Sequence, residues 1–107
     1  MSESIQPVLD PEQLRRQAMG SEAHRREILS LFVAEVERLL QQVERARDAQ
    51  IRNDRLQAIL SLSRSVGAAQ LGQVVEKIAA EPDPVAANLE ALRTAVEDVV
   101  AYIGRLG

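Results

Sequence analysis

The chain has one imidazole, no thiol and no dense set of carboxylates, so its chemistry rests on few residues. His24 is the single histidine. It follows Ser21 at the third position of a helix start, among Glu22, Arg25 and Arg26, where a solvated first turn is the expected setting. As a metal ligand it lacks company. Without cysteine only carboxylates remain, and none falls in the spacing of a calcium loop, so neither a metal nor another cofactor is expected. Glu97 and Asp98 are adjacent on a helix and point different ways, which is no acid–base dyad. No glycine-rich phosphate loop or nucleophile elbow is present. An enzyme is not expected.

Gln57, Leu60, Ser61 and Arg64 form the more informative group. Their steps of three and four place them on one face of a helix. A carboxamide, a hydroxyl and a guanidinium bind through hydrogen bonds and charge, and none of the three is an activated nucleophile. Leu60 is expected to give this face an exposed apolar centre, which suits a protein contact. The other reading is that Leu60 turns into the core beside Ile59.

The elements that must position these residues are helical. Residues 1–9 read as an arm, and 10–107 as a single domain. Asp10-Pro11-Glu12-Gln13 starts a short helix, with a capping carboxylate, a proline in the first turn and acid after it; Gly20 ends it. Ser21 caps a second helix whose Ile28, Phe32, Val36, Leu39 and Val43 recur at helical spacing, fading at about Arg47. Asp48 to Asp54 reads as a polar connection. Asn53 or Asp54 then caps a third helix carrying Leu56, Ile59, Leu62 or Ser63, Val66, Val74 and Ile78. Glu81-Pro82-Asp83-Pro84 marks a boundary, and Val85, Leu89, Leu92, Val96, Val99 or Val100, and Ile103 stripe the last helix. The expected class is all-α: three long helices of roughly 20 to 27 residues, antiparallel through short connections, with Phe32 buried between them.

Composition narrows the partners. Aromatic residues are 2% of the chain, so the core must be aliphatic. The net charge of −3 argues against nucleic acid, which needs a concentrated basic footprint. The pairs Arg15-Arg16 and Arg25-Arg26 are diluted by Glu12, Glu22 and Glu27, with no aromatic interleaved for base stacking. No apolar run approaches the length of a membrane span, and Met1-Ser2-Glu3 is unlike a secretion signal, so no membrane contact and a cytoplasmic location are expected.

The stretch Leu56-Gln57-Ala58-Ile59-Leu60-Ser61 through Gly67-Ala68-Ala69-Gln70-Leu71 resembles the phosphorylation helix of histidine-containing phosphotransfer (HPt) domains. That family's pattern is A-H-x-L-K-G, followed six residues later by G-A-x-x-L. Gly67, Ala68 and Leu71 match the second half. Gln57, ten residues before Gly67, stands where the histidine belongs, and Leu60 and Ser61 replace the lysine and glycine. Val8-Leu9-Asp10 with Leu14, and Ile28-Leu29-Ser30-Leu31-Phe32, resemble the family's opening, so the likeness covers residues 8–103. The resemblance implies an up-and-down four-helix bundle that binds a response-regulator receiver domain or a histidine kinase. With the phospho-accepting residue lost, it implies binding without phosphate transfer, through Gln57, Leu60, Ser61 and Arg64. The alternatives are a helical adaptor that self-associates, as a homodimer for example, and a phosphotransfer protein using His24.

Overall fold

Asp10 does what its position suggests: its carboxylate accepts from the Glu12 and Gln13 amides at 3.1 and 3.4 Å, and Pro11 opens α1 (Pro11–Gln17). The structure, a computed structural model, describes residues 8–80 and 86–106, with only the backbone described at 86–88. Met19 and Gly20 both adopt left-handed backbone (φ 54° and 76°), turning the chain into α2 (Glu22–Arg45). The Ser21 hydroxyl caps that helix by accepting from the His24 amide at 3.2 Å. α3 spans Ala49–Val66, α4 Ala69–Ala80 and α5 Ala86–Leu106. The described residues contain five helices and no strand.

The four longer helices pack in a ring, α2 on α3, α3 on α4, α4 on α5 and α5 back on α2. Two- and three-residue connections, at 67–68 and 46–48, turn α4 back along α3 and α3 back along α2. The short α1 lies across α3 and α2. This is a four-helix bundle with a short N-terminal helix. Its core is aliphatic: Val36, Val43, Ile59, Val75 and Leu92 are sealed from solvent, and Phe32 is buried among them.

Three expectations need correction. The third helix is two helices: Gly67 adopts left-handed backbone (φ 74°) and ends α3, and α4 starts two residues later. An added Cβ at Gly67 would lie 2.6 Å from Asp10 Cβ, so glycine there satisfies both the turn and the close pass of the N-terminal segment. α3 also starts earlier than Asn53. Asp48 is its cap, accepting from the Gln50 amide at 2.7 Å, and the polar run after it is the solvent-facing start of the helix. Packing, finally, begins before residue 10: Leu9, read as part of the arm, is buried in the core. The proline-rich boundary at 81–84, and Val85, lie outside the described residues.

Candidate functional site

Gln57, Ser61 and Arg64 project to solvent from the middle and last turns of α3. Ile59, Ser63 and Val66 anchor the opposite face, each at most 2% exposed. Ser63 fits this apolar side because its hydroxyl donates to the Ile59 carbonyl at 2.8 Å, satisfying the one fully buried polar residue among the described residues. Gln57 and Ser61 make no side-chain hydrogen bond with another described residue, so their donors and acceptors are free for an incoming surface.

Leu60 does not join them. It is 7% exposed and belongs to the core, so it cannot be the apolar centre of an exposed face. Helical spacing places it within the same half-turn as Gln57 and Ser61, but α4 packs over that flank of α3. Gly72 of α4 comes so close that an added Cβ would sit 3.6 Å from Leu60 Cδ1. The inward alternative holds for Leu60.

Arg64 ties three helices together. Its guanidinium meets Glu76 of α4 at 2.9 Å, and its backbone carbonyl accepts from the Gln13 side chain of α1. Gln17 donates to the Ser65 carbonyl at 2.8 Å. Carbonyls in the last turn of a helix have no partner within it. Here α1 supplies two from outside, fixing the end of α3 that carries Arg64.

The remaining sequence candidates stay apart. His24 is exposed in the first turn of α2, on a different helix from Gln57. Arg15 and Arg25 pair with Glu12 and Glu22 one turn earlier, each at 3.0 Å, as solvated helix faces do. Glu97 and Asp98 are exposed on α5. Among the described residues, no three histidine, aspartate or glutamate side chains converge as a ligand set. The charge perturbations also lie off the row: a hydrogen bond from Arg38 holds the Glu35 carboxyl below the usual range, and Glu44 raises Arg93 between α2 and α5. Among the described residues, no helix is long and apolar enough to cross a membrane.

Two features escaped the sequence reading. Leu31 of α2 is 64% exposed, the apolar exposure that had been assigned to Leu60. It lies about 140° around α2 from Glu44, which faces α5 through Arg93, and so sits on the opposite flank. Its run of apolar neighbours disguised it, since Leu29, Leu31, Phe32 and Val33 blur the edge of the stripe.

The second is a groove of about 480 Å³ where α1, α3 and α4 meet. Leu60, Ala68 and Gly72 line it, with Asp10, Gln13, Arg64, Gln73 and Glu76 among its polar groups. Gly72 has ordinary helical backbone, and its added Cβ would make only ordinary contacts, 3.6 Å to Leu60 and 3.8 Å to Ser63. The chain matches no protein-family model, no curated protein and no solved structure.

Proposed function

We propose that this chain is a non-catalytic, HPt-like binding module of two-component signalling, which docks a receiver domain or a histidine kinase through α3 and carries no phosphate. The observation that supports this reading is the solvent-facing row Gln57, Ser61 and Arg64, placed ahead of the left-handed Gly67 with two of its three side chains unengaged. The row offers hydrogen-bond donors, acceptors and one positive charge, which suit docking. It offers no activated nucleophile: the nitrogen lone pair of a carboxamide is delocalised into its carbonyl, so Gln57 cannot attack an aspartyl phosphate as an imidazole does. A module of this kind would occupy a receiver in competition with a phosphate-carrying protein, or sit on a kinase and change its output.

The test mixes the protein with phosphorylated receivers and active kinases and reads both complex formation and label. The expected result is a complex with no acid-labile phosphate on this chain. Label that disappears in a His24→Ala variant would replace this reading with an active phosphotransfer role. The second reading is self-association, for which Leu31 of α2, 64% exposed, offers an apolar contact. Sedimentation of the parent beside Leu31→Lys decides it, since a dimer lost on that change supports the adaptor.

A further inference from the structure

We propose that a second copy of this chain docks on the outer face of α2, helix against antiparallel helix, with Glu27 of each protomer facing Arg38 of the other and Leu31 packed on Ala34. This rests on the self-association reading and gives it a surface, a register and a symmetry. Gln57, Ser61 and Arg64 lie on another helix and stay outside the contact.

Glu27, Leu31, Ala34 and Arg38 follow one another at steps of four, three and four, so they form one row within about 60° of arc on α2. All four are exposed, on the side turned away from the buried Phe32 and Val36. The order along the row is acid, large apolar, small apolar, base. Turned end for end, it reads as its own complement. A two-fold axis crossing α2 between Phe32 and Val33 sets position 27 opposite 38 and position 31 opposite 34, twice each, which is the self-matching patch that a closed dimer needs. The two Leu31 side chains, 64% exposed in the single chain, then lie side by side at the centre, each over an alanine small enough to let the helices close up.

Charge selects this arrangement from the other ways of pairing the same face. A parallel pair would set Glu27 against Glu27 and Arg38 against Arg38. An antiparallel pair centred on Leu31 would set Glu27 against Glu35. The shifted register sets acid against base at both ends, and like charges across an interface are costly. Both charges are available. Glu27 has no ion pair among the described residues. Arg38 is held there by Glu35 alone, one turn away, with its side chain 54% exposed, and a guanidinium has donors enough for a second carboxylate.

One pair of helix faces is a small interface, so the dimer should be weak, with Kd about 10 to 100 μM. Sedimentation from about 5 to 500 μM covers that range for the parent, Glu27→Arg, Arg38→Glu and an equimolar mixture of the two variants. The parent should dimerise. Each variant alone should weaken the dimer at least about tenfold, because two like-charge pairs then face each other across it. The mixture should regain the parent's affinity as a one-to-one dimer, since every reversed side chain meets an opposite charge. Both positions are exposed, so circular dichroism should show parent-like helicity throughout.

A parent that stays monomeric across the range would overturn this inference together with the self-association reading, and would leave docking through α3 untouched. A dimer that both variants keep at the parent's strength would overturn the α2 pairing alone. Variants that weaken the dimer without recovery in the mixture would overturn the pairing of Glu27 with Arg38.

Discussion

Leu60→Ala separates a core residue from a docking residue. Leu60 is 7% exposed beneath α4, so truncation removes a side chain whose burial contributes roughly 1.5 to 3 kcal/mol. A cavity term adds to this, with buried Leu→Ala changes spanning about 2 to 5 kcal/mol. Leu60 borders the open groove beside Gly72, so water and small side-chain shifts can relieve part of the void. The expected loss is therefore at the low end, about 2 to 3 kcal/mol, or roughly a 10 °C fall in Tm for a domain of this size. Ile59→Ala, at a fully sealed position, should cost more, about 4 kcal/mol. Urea unfolding followed by helical circular dichroism measures both. A Leu60→Ala variant within about 0.5 kcal/mol of the parent would behave as a surface substitution and refute the packing of α4 over α3.

Gly67→Ala should destabilise by about 2 to 4 kcal/mol, since it combines a left-handed residue with a Cβ pressed against Asp10; a neutral result in the same unfolding assay would contradict the close pass. Gln17→Ala should cost about 1 kcal/mol by freeing the Ser65 carbonyl, and hydrogen exchange should quicken in the last turn of α3 while α5 is unchanged. Glu35 carries a lowered carboxyl pKa in the fold, so its contribution is complete above the ordinary carboxylate range and is lost as pH falls through the folded value. Glu35→Gln should remove that part of the acid response and little else, as read from thermal melts on either side of that range.

The sequence told most about the first two helix starts, because their signals are local. Asp10-Pro11 and Ser21 are caps within a few residues of what they cap, and Phe32 sits at the middle of a strong apolar period. Gly67 was singled out but its role was not, since a left-handed stop and a close helix contact both call for glycine. Leu60 shows the limit of periodicity. A residue on the edge of an apolar arc is buried or exposed according to which neighbour packs there, and that neighbour, α4, could not be separated from α3 until Gly67 broke the helix. Gln13 and Gln17 bond to carbonyls 51 and 48 residues away, a pairing that no local pattern encodes.

Calorimetric titration of receiver domains and kinase phosphotransfer regions into the parent protein and into Ser61→Glu tests the central claim most directly. Ser61 is exposed and unengaged, so the variant should keep its helicity and Tm while placing bulk and negative charge in the middle of the row. The account predicts that a partner binds the parent and loses at least about tenfold in affinity for the variant, as changes at the centre of an interface do. Equal binding by a folded Ser61→Glu protein would show that the exposed row of α3 is not the docking surface.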